Sequence, residues 1–222
     1  MSIEVLGLSG SPVPDSNTDR AVKRILELTG LRTEFVKLST RSIEPCRACL
    51  GCVEGNACIV PDDGPELARK FAGARAFVLG AFTPYSSLDA RSKAFMERMY
   101  CLRHRRMGNA GKAGAAVITT ACPPGAEGLP PAAETAASQI AFWMMEEGMQ
   151  NLGTLVLRGN VPCIRCGFGD TCPASGVKMI HGPEATVESI GVRTFEEDES
   201  LEQQARELAE KLRAAVLKAG DD

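Results

Sequence analysis

No apolar run in this chain is long enough to cross a bilayer, which would take about 20 residues. Positive charge is not in surplus either. Lys and Arg number 25 against 28 Asp and Glu, a formal net charge of -3. That removes the electrostatic case for a nucleic-acid partner, which favours a basic face. Histidine is scarce, with two in 222 residues, and neither a Ser–His–Asp pattern nor an HExxH motif is found. The N-terminal MSIEVLGLSGS has no basic stretch leading into a long apolar one, so it reads as a first strand rather than an export signal. Hydrophobic residues at 44% and charged residues at 24% are ordinary for a folded protein and exclude wholesale disorder. The expectation is one domain over residues 1–222 in a reducing, cytoplasmic setting, with no membrane or nucleic-acid partner.

Cysteine, in contrast, is plentiful. Nine are present, at positions 46, 49, 52, 58, 101, 122, 163, 166 and 172. Structural disulfides are rare in reducing compartments, so their spacing has to supply another purpose. Seven fall in two short tracts: Cys46, Cys49, Cys52 and Cys58, then Cys163, Cys166 and Cys172. Thiols gathered into loops are arranged like metal ligands; thiols used as small apolar residues would be scattered over helix and strand faces.

The remaining chain alternates between strand and helix patterns. Strands are predicted over 3–8, 33–38, 76–82, 114–119 and 151–157, and the AFVLGAF run over 76–82 is continuously apolar. Such a run fits a strand covered on both faces. Helices are predicted from the cap candidates at 15–18 through 28, then over 65–71, 89–102, 132–149 and 201–215. This alternation implies an α/β fold: a doubly wound, five-stranded parallel sheet with ligands at the carboxyl ends of the strands. Residues 158–199 break the pattern. They form a cysteine-bearing insertion before the last helix, for which a metal is a candidate tie.

The turn after the first strand holds Ser9, Gly10, Ser11, Ser16, Asn17 and Thr18. It contains neither GxxxxGK[S/T] nor GxGxxG. Helix-start amides and hydroxyls without an internal Lys or Arg suit a monophosphate held by neutral donors. Simple helix capping by Ser16 or Asn17 explains the same residues. The order L-S-G-S-P-x-x-x-S-N-T resembles the phosphate loop of the NADPH-dependent FMN reductase branch of flavodoxin-like proteins. The stretch from Phe82 through Pro84, Tyr85 and Lys93 to Arg98 resembles that family's segment ending in K-x-F-x-x-R. The C-x2-C-x2-C-x5-C tract followed by Asp62-Asp63 resembles its iron–sulfur flavoprotein subgroup. The likeness covers residues 1 to about 157 and the terminal helix.

The resemblance implies a flavodoxin-like fold and an FMN cofactor. Ser9, Ser11, Ser16, Asn17 and Thr18 would hold the FMN phosphate, with Pro12 in the same loop. Pro84, Tyr85, Ser86 and Ser87 would line the isoalloxazine, and Thr119, Thr120 and the loop to Gly125 would approach the ring. Cys46, Cys49, Cys52 and Cys58 would bind a [4Fe–4S] cluster. A homodimer or homotetramer is implied, with the cluster near a neighbour's FMN. The 158–199 insertion has no counterpart in the family pattern.

The cysteine tract favours a cluster on its own terms. Thiolates at i, i+3 and i+6 can wrap three corners of a cubane and a fourth closes it, whereas zinc sites commonly use two separated pairs. Gly51 and Gly55 are expected to permit the tight path. Cys163, Cys166 and Cys172 supply three thiolates for either a second iron–sulfur cluster or zinc, with His181 or Cys122 as candidate fourth ligand. Other residues have plainer readings. Cys101 is expected to be a packed thiol, and His104, beside Arg103, Arg105 and Arg106, a solvated helix end. Trp143, Met144 and Met145 suit a core or subunit interface, and Asp62 and Asp63 suit helix caps.

Three functions compete. The first is an oxidoreductase taking electrons from a ferredoxin-like donor through the cluster to FMN and on to a small-molecule acceptor. The second is an NAD(P)H-dependent FMN or quinone reductase with structural zinc on the cysteine tracts. The third is a non-enzymatic, metal-stapled binding module on a flavodoxin fold.

Overall fold

A computed structural model describes residues 3–123, 125 and 128–219. The elements are β1 (Val5–Ser9), α1 (Asn17–Thr29), β2 (Thr33–Lys37), α2 (Gly64–Gly73), β3 (Ala76–Phe82), α3 (Ala90–Met99), β4 (Ala113–Thr120), α4 (Ala132–Glu146), β5 (Gln150–Arg158), α5 (Gly176–His181), α6 (Val187–Ile190) and α7 (Glu199–Lys218). The five strands form one sheet in the order β2-β1-β3-β4-β5, and every pairing is parallel. This is the flavodoxin-like, doubly wound arrangement the sequence led us to expect. Among the described residues no helix is long and apolar enough to cross a membrane.

Side chains alternate between the two sheet faces along each strand. On β3, Ala76 and Val78 pack with Val22 and Ile25 of α1 and Leu212 and Val216 of α7. Phe77 and Leu79 point the other way, to Phe71 of α2, Phe95 of α3, and Ile140 and Met144 of α4. Both faces are therefore covered, which is why β3 reads as an unbroken apolar run. Gly80 lets α1 approach the sheet: a Cβ there would lie 2.6 Å from Val22 Cγ2 and 2.8 Å from Thr18 Cγ2. That contact sets the first turn of α1 against the carboxyl edge of the sheet.

Two segments differ from expectation. The predicted helix over 89–102 ends at Met99 and continues as a tighter 3-10 turn, Tyr100–Leu102. Residues 158–199 contain two short helices, α5 and α6, and a small apolar cluster of Val161, Val177 and Ala185, against which Ala121 and Ile180 pack. Apolar burial thus packs the insertion against the residues after β4.

Candidate functional site

The carboxyl edge of the sheet gathers the first set of predicted residues. Ser16 caps α1, accepting from the Asp19 amide at 3.1 Å while Asp19 Oδ2 accepts from the Ser16 amide at 3.2 Å. Its hydroxyl proton is left free to donate. Ser11 Oγ accepts only from Val13 N, at 3.3 Å. The amides of Asn17 and Thr18 open the helix, where no preceding turn supplies a partner. Thr18 Oγ1 meets Thr119 Oγ1 at 2.7 Å and joins α1 to β4. These neutral donors at a helix start fit a phosphate monoester.

Ser9 is bonded within the loop, and Ser11 N also reaches its hydroxyl, at 3.4 Å. The Ser9 hydroxyl donates to Asp19 Oδ1 at 2.6 Å and the residue is fully buried, so it braces the loop from beneath. Pro12 is exposed in the loop and has no N–H to offer. Asn17 is partly committed: its Nδ2 donates to the Arg193 carbonyl at 3.0 Å and its Oδ1 accepts from Arg20. Asn160 also holds Arg193 by two backbone bonds of 2.8 and 2.9 Å. The insertion is thereby tied to the start of α1.

The segment after β3 is strained. Tyr85 and Ser86 have φ of 51° and 59°, a left-handed region that L-residues with a Cβ rarely occupy. Tyr85 projects fully into solvent, an arrangement that concentrates at ligand-binding loops. Ser87 and Leu88 are fixed by Gln139 of α4. Thr120 is turned inward, accepting from and donating to Cys122 backbone groups. The expected approach of residues 120–125 falls partly at Pro124, outside the described residues.

Asp89 underlies this edge. It caps α3, accepting from the amides of Arg91 and Ser92 and from Ser92 Oγ at 3.1, 2.9 and 2.7 Å. Burial pushes its carboxyl up, against these hydrogen bonds. Gly10 fits here only because it has no side chain: a Cβ would sit 2.3 Å from Ser92 Oγ and 2.5 Å from Asp89 Oδ1.

The first cysteine tract forms a second locus. Cys46, Cys49, Cys52 and Cys58 line one cavity, together with Arg98, Tyr100, Cys101 and His104. The left-handed residues that turn this loop are Ala48, Leu50 and Asn56, not Gly51 or Gly55. Strain on non-glycine residues costs roughly 1–2 kcal/mol each, which a ligand-binding loop can carry. Among the described residues no three His, Cys, Asp or Glu groups are set to share one metal ion. The donor set, four thiols lining one cavity, is of the kind that iron–sulfur clusters and zinc both take. A single zinc ion would need its thiolates all at about 2.3 Å.

Arg98 closes this loop. Its side chain is 1% exposed. Nη1 donates to Asp62 Oδ2 at 2.5 Å and to the Glu44 carbonyl at 2.9 Å; Nη2 donates to Asp62 Oδ1 at 2.8 Å and to Cys58 Sγ at 3.1 Å. Burial alone would raise the Asp62 pKa, but Arg98 and the amides of Glu44 and Gly64 outweigh it and hold the carboxyl below its ordinary value. Asp62 and Asp63 therefore do more than cap α2. Asp62 accepts from Gly64 N, but Asp63 makes no side-chain cap and accepts from Ser42 N instead.

Sequence reasoning placed Arg98 only at the end of the K-x-F-x-x-R stretch and gave it no role. The signal was a cation at i+3 from Phe95 and i+4 from Ala94, on the apolar face of α3. His104 also departs from expectation: it is half-buried against Tyr100, with its Nε2 buried and unpartnered beside the cysteine cavity. Cys101 is the expected packed thiol, and burial pushes its pKa up to about 11. Trp143 packs among Phe71, Phe77 and Phe95, as expected for core.

The second tract is less assembled. Cys163 Sγ accepts from Gly176 N at 3.2 Å and Cys166 Sγ from Phe168 N at 3.4 Å, while Cys172 is half-buried. His181 ends α5; burial, then Arg193 and Arg158, lower its pKa. Neither it nor Cys122 joins the three thiols around a common point among the described residues.

Comparison with known proteins gives two kinds of likeness. The family model described as NADPH-dependent FMN reductase matches residues 3–150. An iron–sulfur flavoprotein of Methanocaldococcus jannaschii is 34% identical over 104 residues, covering 46% of this chain and 54% of that protein. One of Methanosarcina thermophila is 27% identical over 154 residues, covering 68% and 78%. The chain thus spans about half the length of the first relative. Among solved structures, an NAD(P)H:quinone oxidoreductase of Methanothermobacter marburgensis superposes with a TM-score of 0.60 at 16% identity, covering 96% of each chain. At that identity the likeness is one of fold.

Proposed function

The chain belongs to the NADPH-dependent FMN reductase family, and on that premise we propose that it is a redox flavoprotein carrying both FMN and a [4Fe–4S] cluster. The observation that carries the proposal is the cavity lined by Cys46, Cys49, Cys52 and Cys58, in a chain whose relatives are named iron–sulfur flavoproteins. When bound, the cluster supplies one-electron transfer and the flavin both one- and two-electron chemistry, so together they suit a ferredoxin-like donor and a small-molecule acceptor.

The chain's own residues do the binding and positioning. Ser11, Ser16 and the amides of Asn17 and Thr18 take the FMN phosphate at the positive end of α1. Pro84, exposed Tyr85 and Ser86 offer a wall beside it, strained at Tyr85 and Ser86, and Asp89 holds that wall to the end of β3. Gly10 and Ser11 are buried in this loop, and Thr119 ties α1 to β4 through Thr18. Exposed Phe142 and Met145 on α4 and exposed Tyr85 support a homo-oligomeric assembly. The N–H···S bonds to Cys163 and Cys166 support a second metal-thiolate site, either zinc or a cluster.

Anaerobic reconstitution followed by absorbance spectroscopy tests this reading. Resolved flavin bands with a broad shoulder bleached by dithionite are expected. Flavin bands alone, with zinc on the first tract, would favour an NAD(P)H-dependent reductase with structural zinc. Rapid mixing with NADH, NADPH or reduced ferredoxin then identifies the donor, with ferredoxin expected to be fastest.

A further inference from the structure

We infer that Arg98 is a positioning residue that acts through Cys58: its Nη2–H donates to the Cys58 sulfur and raises the reduction potential of the cluster held by the first cysteine tract. This rests on the proposed cluster. The geometry goes beyond a structural ion pair. Asp62 takes both guanidinium nitrogens, at 2.5 and 2.8 Å, and Glu44 O takes a further donor. Those bonds already join the two ends of the loop, Glu44 before Cys46 and Asp62 after Cys58. The bond from Nη2 to Cys58 Sγ at 3.1 Å is additional, and it falls on the closing cysteine of the tract. Room for it is provided by Gly64, where a Cβ would lie 2.4 Å from Nη2.

Uptake of one electron adds one negative charge to the cluster, while the donor is oxidised by one electron. No proton or bond rearrangement is required. A cationic donor on a ligand sulfur stabilises the more negative state, so it raises the potential. Buried as it is, this bond is poorly screened by solvent. Asp62 works in the opposite direction, because it partly neutralises the guanidinium. The two residues therefore have opposite effects on the potential, although removing either weakens the same ion pair. A merely structural clasp would give effects of the same sign.

The test uses the full chain, reconstituted anaerobically with iron, sulfide and FMN, with midpoint potentials from an EPR-monitored redox titration. The flavin midpoint, read by absorbance, is the internal control. Arg98→Lys keeps the charge but loses the fork, and is expected to make cluster reduction about tenfold less favourable, about 59 mV for one electron. Asp62→Asn is expected to shift the midpoint upward. The flavin midpoint should stay fixed in both. Unchanged cluster midpoints, shifts of the same sign, or flavin shifts of equal size would overturn the inference. If Arg98→Lys fails to retain iron, Asp62→Asn decides: a rise supports the inference, and no change or a fall overturns it. A wild-type chain that binds FMN but no iron overturns the cluster reading, and this inference with it. A loaded wild type whose variants ignore the predicted signs overturns the inference alone.

Discussion

Replacing Gly10 with Ala tests how the proposed flavin edge is built. The added methyl would lie 2.3 Å from Ser92 Oγ and 2.5 and 2.6 Å from the two Asp89 oxygens. These contacts fall roughly 1 Å inside a comfortable carbon–oxygen separation, so something must move. Asp89 resists, because it accepts from Ser92 N, Ser92 Oγ and Arg91 N and caps α3. The loop resists too, because Gly10 N is bonded to Gly80 O at 2.8 Å. Overpacking of this kind costs about 1–3 kcal/mol, and a weakened cap adds about 1 kcal/mol. A loss of about 2–4 kcal/mol follows, which at an ordinary urea slope moves the unfolding midpoint down by about 1–2 M. Because the displaced loop carries Ser11 and the approach to α1, FMN binding should weaken at least about tenfold, or about 1.4 kcal/mol. Urea titration and FMN fluorescence quenching measure the two effects. A variant with the wild-type midpoint and wild-type FMN affinity would refute the reasoning.

Three further outcomes are expected. Cys49→Ser should abolish cluster loading and leave FMN bound, as read by iron and flavin content; loss of both would contradict separate sites. Lys112 is buried beneath Phe71, and burial lowers its pKa to about 8 from 10.5. The unfolded chain therefore binds more protons between those values, and wild-type stability should rise as pH climbs from about 8 to about 10.5, by on the order of 3 kcal/mol. Lys112→Met should lack that rise in urea titrations across the range, and an identical rise in both proteins would exclude Lys112 as its source. Cys101, with its pKa pushed up to about 11 by burial, should resist alkylation in the native state at pH 8 while Cys46 and Cys49 react; equal rates would contradict its packing.

The sheet was readable because burial on both faces leaves a mark that needs no context: β3 is apolar at every position but Gly80. The start of α1 was readable because capping is local chemistry, and Ser16 with Asp19 forms a complete box. The direction of the Ser9 hydroxyl was not, since it depends on where Asp19 lies ten residues later. Asp62 resembled a cap for the same reason. Its main partner, Arg98, is 36 residues away on another element, and no periodicity links them. Helices α5 and α6 escaped notice because six and four residues are too few for a 3.6-residue period to register. The cysteine spacing marked a loop of shared thiols without disclosing that a buried guanidinium touches the last sulfur.

The central claim is that one chain carries FMN and a four-thiolate iron–sulfur cluster on separate loci. Iron, sulfide, zinc and flavin content per chain after anaerobic reconstitution tests it most directly. The account predicts one FMN and about four irons with about four sulfides for the first tract, or about twice that if the second tract also holds a cluster. Zinc on the first tract, or flavin with neither iron nor sulfide, would contradict it.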